Sequence, residues 1–261
     1  MPNPKISVVT VCYNAADTIE ETMLSVLNQT YDNVEYIIID GGSTDGTVEI
    51  IKKYADRLDY WVSEPDKGIY DAMNKGIDAA TGEYINFMNA GDKFYSDNTI
   101  EKILFNGDII YGNAVFKYKN FTLLYKPRPL SSFENCFPIY HQATFVKTKI
   151  LRLNPFSLKY KSSSDYDLLY RLYKNKHNFN YIDEIICLFD AENGISSTNI
   201  RLQLKESGEI NGKISTMSYQ VTIRLILLKL AIQKILNRVS PQIYSKLRKR
   251  SLLRNSYITQ I

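Results

Sequence analysis

Eight residues, Asp40-Gly41-Gly42-Ser43-Thr44-Asp45-Gly46-Thr47, follow directly on the apolar run at 34–39, Val-Glu-Tyr-Ile-Ile-Ile. The order is a buried strand ending on a carboxylate, then a glycine-rich turn, then the start of a helix. In an open α/β sheet, ligands collect at the carboxyl ends of the strands, and a turn of this kind is where a nucleotide sits. Two further segments belong with it, Thr10-Val-Cys-Tyr-Asn14 upstream and Asn89-Ala-Gly-Asp92 downstream.

Periodicity places all three at strand ends. Ile6–Cys12, Val34–Asp40, Tyr60–Ser63 and Tyr84–Met88 read as strands. Ala16–Gln29, Thr47–Ala55 and Ile69–Ala80 read as helices, with Ser43 or Thr44 available to cap the second. The alternation predicts a mostly parallel sheet with helices on both faces. From Ile109 the texture changes. Ile109–Tyr118 and Phe121–Tyr125 flank Lys119-Asn120 as a hairpin, Ala143–Val146 and Tyr181–Phe189 are further strands, and Asp165–Lys174 is a helix. There is no internal repeat and no low-complexity linker.

Charge divides the chain more sharply than its net value of +4 suggests. Residues 201–261 hold twelve Lys and Arg against two acids, while the remainder holds twenty against twenty-six. A basic tail on a mildly acidic body points to nucleic acid or an anionic membrane. Tyr219–Val239 is rich in Leu and Ile but interrupted by Arg224, Lys229, Lys234 and Arg238, which argues against a membrane span. A basic amphipathic helix lying in the membrane interface fits, with Lys246-Leu-Arg-Lys-Arg250 as a second cationic cluster. Charges set among Leu and Ile suit lipid rather than a nucleic-acid groove, so no nucleic-acid partner is expected. Cys12, Cys136 and Cys187 have no metal or disulfide spacing and read as small apolar residues in a reducing compartment. With only His141 and His177, a zinc site is not expected. No secretory signal is visible, so the protein is expected in the cytoplasm.

The strand-end loops carry suitable chemistry. Tyr13 offers an aromatic face to a nucleobase, and Asp40 an acceptor for a base N–H, which suits uracil. Lys67 can screen phosphate charge. Asp71 and Asn74 share a helix face and either orient a sugar or fasten the helix to the sheet. Asp92 can hold a divalent cation, Mn²⁺ or Mg²⁺, with phosphate oxygens and water completing its shell. Asp165, at a helix start, either takes a proton or complements the helix dipole. His141-Gln142 is a candidate acceptor wall.

These segments, with Asp66-Lys-Gly-Ile-Tyr-Asp-Ala-Met-Asn-Lys-Gly-Ile77 and Gly82-Glu-Tyr-Ile-Asn-Phe-Met-Asn-Ala-Gly-Asp92, resemble family 2 glycosyltransferases with a GT-A (Rossmann-like) fold, in particular bacterial enzymes that build O-antigen, capsule or exopolysaccharide. The resemblance covers residues 5–95 strongly and continues more weakly to about residue 190. It implies a base pocket of Thr10, Tyr13 and Asp40, and it lays Asn14, Lys67, Gly68, Asp71, Asn74 and Asn89 along a nucleotide-sugar, usually a UDP-sugar. It implies a metal at Asp92 and a general base at Asp165, with Asp167 as fallback. His141 and Gln142 fall on the acceptor side. The chain departs from the family pattern at Gly41, Asn89 and Ser164, where acids are usual. These departures leave a second expectation, a non-catalytic nucleotide-sugar-binding or scaffold protein. A dinucleotide oxidoreductase is excluded, because no G-x-G-x-x-G follows the first strand. The expected organisation is a GT-A domain at 1–199 with a mixed α/β sheet and a helical, basic, membrane-associating segment at 200–261. The expected activity is inverting transfer to a lipid-diphosphate-linked saccharide on the inner face of the plasma membrane.

Overall fold

The computed structural model describes residues 3–191 and 199–260. The stretch before the expected boundary at 199/200 lies largely outside them. Strand β1 (Ile6–Cys12) is buried along its whole length, and β2 (Val34–Asp40) along all but its first residue. Burial on both faces explains why these strands are continuous apolar runs rather than alternating ones. With β3 (Tyr60–Ser63) and β4 (Tyr84–Phe87) they form a parallel set in the order β3-β2-β1-β4.

Alternate residues feed two cores. Val9, Val11, Ile37 and Ile39 pack with Met73 and Ile77 of α3 (Ile69–Ala79) and Leu168 and Leu169 of α5 (Ser164–Lys174). Ile6, Val8, Tyr36 and Ile38 pack with Met23 of α1 (Ile19–Leu27) and Ile51 of α2 (Thr47–Lys53). Gly76 is required by this packing, because a Cβ there would stand 2.5 Å from Val9 Cγ1.

Beyond β4 the sheet turns mixed. β8 (Thr144–Lys147) runs antiparallel to β4 and to β6 (Ile109–Tyr118). β6 forms the expected hairpin with β7 (Phe121–Tyr125) and lies parallel to β9 (Phe179–Asp190), which takes the two-residue β5 (Lys93–Phe94) at its other edge. The short α4 (Thr148–Leu153) follows β8. The α2 cap differs from expectation: the N-cap is Gly46, at φ 101°, with no side-chain bond of its own. Asp45 supplies the acceptor, taking Thr47 N–H at 3.1 Å and Thr47 Oγ1–H at 2.6 Å.

The C-terminal segment is helical as expected: α6 (Ile200–Ile210), α7 (Met217–Val239) and α8 (Pro241–Leu253). It is also stitched to the body at both ends. On α6, Glu206 is buried and accepts from Lys161 N and Ser162 N at 2.8 and 2.9 Å. After α8 the chain adds strand β10 (Ile258–Gln260) antiparallel to β7. Between these anchors, α7 and α8 pack on each other and bury no side chain. On α7, Val221, Leu225, Leu228, Ile232, Ile235 and Val239 recur at intervals of three and four, and each is 45–78% exposed. Among the described residues no helix is long and apolar enough to cross a membrane.

Candidate active site

The parallel strands end together. Cys12 pairs with Asp40 and Asp40 with Ser63 in the sheet register, so their following loops open onto one cleft of about 910 Å³. Tyr13, Asn14, Gly41, Asp66, Gly68 and Asn89 line it. Tyr13 is 66% exposed, an unusual state for an aromatic ring at the end of a buried strand. Asn14 adopts φ 47°, and its side-chain oxygen accepts from Thr44 N at 2.9 Å, joining the first loop to the second.

Asp40 is built differently from the expectation that it faces a base. Its side chain is fully buried, and its oxygens accept from Gly42 N at 3.1 Å, Ser43 N at 2.9 Å, Ser63 Oγ at 2.6 Å and the Ser43 hydroxyl. Burial opposes its charge, but these donors outweigh burial and hold the carboxyl below its usual range. The turn closes on Asp40 instead of aiming it outward. The acceptor that does reach the cleft is Asp66, which sequence reasoning had not singled out. Its Oδ1 takes Gly68 N–H at 2.7 Å, while its Oδ2 lies 2.5 Å from where a Cβ on Gly41 would be. The Tyr13 ring is 3.4 Å from the same point. Glycine at 41 thus makes room for a carboxylate from the neighbouring loop.

Thr10 is likewise not brought to the cleft. Its hydroxyl donates to Met88 O at 2.8 Å and meets Tyr36 Oη at 2.9 Å, tying β1 to its neighbours. Asp71 accepts Lys67 N–H at 3.0 Å and closes the first turn of α3, while the Lys67 side chain is exposed. Asn74 makes a two-way clasp with the backbone of Phe156, 3.0 Å out and 2.9 Å back, so it fastens the helix. Asp167 is held by Arg171 at 2.9 Å and is not available as an alternative base.

The other candidates converge on one another behind Asn89 of the cleft wall, where His141 and Asp165 line a small cavity separate from the cleft. Asn86 on β4 donates to Gln142 O and Thr144 O at 2.9 and 3.0 Å, and so fixes the turn carrying His141 and Gln142. Gln142 Nε2 donates to Asp92 Oδ2 at 3.1 Å. His141 Nδ1 lies 2.9 Å from Asp165 Oδ2, and His141 Nε2 lies 3.2 Å from Asn89 Nδ2. Asp165 Oδ1 accepts from Tyr70 Oη at 3.1 Å and Tyr166 N at 2.9 Å. Burial, with the Asp165 charge beside it, pushes the Tyr70 phenol well above its ordinary value, so Tyr70 remains a donor. Asn89 Oδ1 is buried with no hydrogen-bond partner, as are the hydroxyls of Ser163 and Ser164.

No group of three His, Cys, Asp or Glu able to hold a metal occurs among the described residues. Asp92 is a single carboxylate at a strand end, the kind of hard oxygen donor that Mg²⁺ or Mn²⁺ takes when substrate phosphate and water fill the other positions.

The mixed sheet with its cleft at the strand ends has the GT-A architecture. The profile of Glycosyl transferase family 2 matches residues 7–156, and the chain belongs to that family. It is a glycosyltransferase. A PGL/p-HBAD biosynthesis glycosyltransferase of Mycobacterium bovis is 28% identical over 247 residues, covering 87% of this chain and 90% of that protein. The putative teichuronic acid biosynthesis glycosyltransferase TuaG of Bacillus subtilis is 34% identical over 46% of this chain and 48% of its own. The fold resembles S. aureus TarS 1-349 in complex with UDP-GlcNAc (TM-score 0.64, 18% identity, 79% of this chain and 64% of that one). It also resembles the Pyrobaculum calidifontis mannosyltransferase PcManGT in complex with GDP-Man and Mn²⁺ (TM-score 0.60, 17% identity, 95% and 79%).

Proposed function

We propose that the protein is an inverting glycosyltransferase that moves a sugar from a UDP-sugar to a lipid-diphosphate-linked saccharide during synthesis of a bacterial surface polysaccharide. The observation that carries this reading is a strand-end cleft with nucleotide-binding chemistry on its wall, joined through Asn89 to a carboxylate–imidazole pair beside it. An exposed aromatic ring and a free carboxylate oxygen, Tyr13 and Asp66, stand on the nucleotide side. A carboxylate–imidazole pair, Asp165 and His141, stands behind Asn89 of the cleft wall. Stacking on Tyr13 is tolerant of the base. One free oxygen at Asp66 matches the single N–H that uracil presents on its pairing edge.

In the reaction, the acceptor hydroxyl attacks the anomeric carbon from the face opposite the nucleotide, and its proton is taken at the Asp165 centre. Asp92 would hold the divalent cation, which when bound supplies charge stabilisation to the departing diphosphate. Asn89, with its unpartnered oxygen at the cleft wall, accepts a hydrogen bond from a donor-sugar hydroxyl.

The tail supports a peripheral position on the inner membrane face. The exposed apolar stripe of α7, with Arg224, Lys229, Lys234 and Arg238 on the same helix, combines what an interfacial helix needs: apolar surface and cationic attraction to anionic lipid. A panel of UDP- and GDP-sugars, offered with an undecaprenyl-diphosphate-linked saccharide and with Mn²⁺, Mg²⁺ or chelator, tests the donor, acceptor and metal assignments together. NMR of the new linkage tests inversion. A product retaining the donor's anomeric configuration, or transfer only from GDP-sugars, overturns the corresponding part.

A further inference from the structure

Asp165 lies in the first turn of α5, so its place is set by how the chain enters that helix. The entry has no side-chain cap of its own. Ser163 stands at the N-cap position without a capping bond, and its hydroxyl is buried with no partner. An acceptor from another helix holds the approach instead. Glu206 of α6 is buried, and its two oxygens take one backbone N–H each, from Lys161 at 2.8 Å and Ser162 at 2.9 Å. A carboxylate that accepts from two successive amides fixes both the position and the orientation of the turn, and an ionised acceptor makes the stronger bonds. It also sets a negative charge before the N-terminus of α5, where the helix dipole favours one. Helix α6 is held in its turn. Glu209 Oε2 lies 3.5 Å from Lys159 Nζ, and Ile210 packs against the core cluster that includes Tyr166 and Leu169. Tyr219, at the start of α7, donates to Leu204 O at 2.7 Å, and its ring fills the place where a side chain on Gly208 would stand.

We infer that Glu206 is a positioning residue for Asp165, so that the catalytic unit extends past the family match at 7–156 and into the basic tail. The inference rests on the glycosyltransferase reading above, with Asp165 as proton acceptor. Glu206 acts through the backbone and not on the substrate. It sets the turn at 161–162, and that turn sets the start of α5. There Asp165 meets Tyr70 Oη at 3.1 Å and Tyr166 N at 2.9 Å on one oxygen, and His141 Nδ1 at 2.9 Å on the other. A side chain can meet three such partners only from one backbone position. A displacement of about 1 Å in a reacting group is enough to cost about 10²-fold in rate. The same pairing of a buried carboxylate with backbone N–H groups occurs at Glu35, but the Glu35 clasp lies on the side away from the cleft. It therefore serves as the control for a clasp that only stabilises.

The test uses the full chain, with kcat and KM measured on the donor and acceptor that the wild type uses. UDP affinity is measured by calorimetry. Rates are referred to the folded fraction from thermal unfolding, so that lost stability alone reads as an unchanged kcat. Glu206→Gln keeps one accepting oxygen and turns an amide donor toward the second backbone N–H. Glu206→Ala removes both acceptors. The expected result is a kcat lower by about tenfold in the Gln variant and about 10²-fold in the Ala variant. Donor KM and UDP affinity stay unchanged, because other loops build the nucleotide side of the cleft. Glu35→Gln lowers stability with kcat unchanged. In an Asp165→Asn background, Glu206→Ala subtracts nothing further from the residual rate, since no base remains to be placed. A carboxylate with a structural role alone would act alike in both backgrounds. Wild-type kcat in the folded Glu206 variants overturns the inference, as do equal losses in the two backgrounds or a rise in donor KM in place of the fall in kcat. If Asp165→Asn alone transfers at the wild-type rate, the underlying assignment of the base fails, an outcome visible before any Glu206 variant is made.

Discussion

Strand β2 carries a carboxylate near each end, and the two do opposite work. Glu35, near its start, is 5% exposed and gathers Lys5 Nζ at 2.8 Å, Thr81 N at 2.7 Å and the hydroxyls of Ser7 and Thr81. This clasp joins β1, β2 and the turn before β4 on the side away from the cleft. Asp40, at the far end, shapes a loop that must stay open to solvent and ligand. The contrast extends across the sheet. At the Glu35 edge every carboxylate oxygen has a donor. Among the described residues the buried side-chain atoms without partners are Asn86 Oδ1, Asn89 Oδ1, Ser163 Oγ, Ser164 Oγ and Asn211 Nδ2, and of these Asn89 lines the cleft. Buried polar groups are ordinarily satisfied, and the exception on the cleft wall, Asn89, marks a place shaped for something other than stability.

The largest effect that can break this comparison lies at the cleft edge. Asp165→Asn is expected to reduce transfer by 10²- to 10⁴-fold while leaving the melting temperature within a few degrees. Its Oδ1 contacts with Tyr70 and Tyr166 survive in the amide. Parallel activity and unfolding measurements check it. A large loss of stability would make Asp165 another clasp.

Next in size is the Glu35 edge. Burial raises the cost of the Glu35 charge, but the donors from Lys5, Ser7 and Thr81 prevail and lower its pKa to about 2. Because the folded value lies below the unfolded one, the stabilisation is complete above the ordinary glutamate range. It is lost as pH falls from about 4.5 toward 2. Glu35→Gln should cost about 2 kcal/mol at neutral pH, and the wild-type advantage should vanish in that acid window. UDP affinity and kcat should not move. Urea unfolding of both proteins at pH 7 and pH 3 measures the difference.

Smaller than either is the effect expected at Gly41, on the cleft wall. Gly41→Ala places a Cβ against Asp66 Oδ2, the far end of a side chain that can swing aside. The expected cost is therefore about tenfold in UDP affinity, near 1.4 kcal/mol, with little change in stability. Asp66→Ala should weaken UDP by a similar factor. Combined with Gly41→Ala it should add nothing further, since both remove one carboxylate from one place. Calorimetry on the double-mutant cycle decides it, and full additivity would separate the two residues.

Much of this was legible in the chain. The parallel strands and their helices follow from apolar runs buried on both faces, and three loops could be assigned to one sheet edge before any coordinates. What escaped were relations between loops. The residue type of Asp40 says nothing about which donors its own turn turns inward. Asp66 becomes visible only through the side chain Gly41 lacks. The α2 cap fell to Asp45 because Gly46 takes a positive φ and leaves the N-cap position without a side chain. Strand β10 is three residues long with polar members, too short for periodicity, and Glu206 sits in a helix whose sequence shows only an acid in a basic tail. Both change the meaning of the tail. It is expected in sequence as an appendage, yet it holds the turn at 161–162 that leads into α5 and Asp165.

That attachment limits how the tail can be tested. Cutting at residue 200 removes Glu206 and β10 together with α7, so a lost activity would not speak to membranes. Single charge changes on α7 avoid the problem, because the helix buries no side chain. A Lys or Arg near an anionic surface contributes about 1 kcal/mol. Lys229→Gln should therefore lower partitioning onto phosphatidylglycerol vesicles about fivefold, and Lys229→Gln with Lys234→Gln somewhat more than twentyfold. Binding to neutral phosphatidylcholine vesicles, and UDP affinity in solution, should stay unchanged. The effect should shrink as salt rises, since surface charges are screened within about 8 Å at physiological ionic strength. Equal partitioning of wild type and variants onto anionic vesicles would mean that the apolar stripe of α7 is not presented to lipid. The tail would then serve the body alone, through Glu206 and β10.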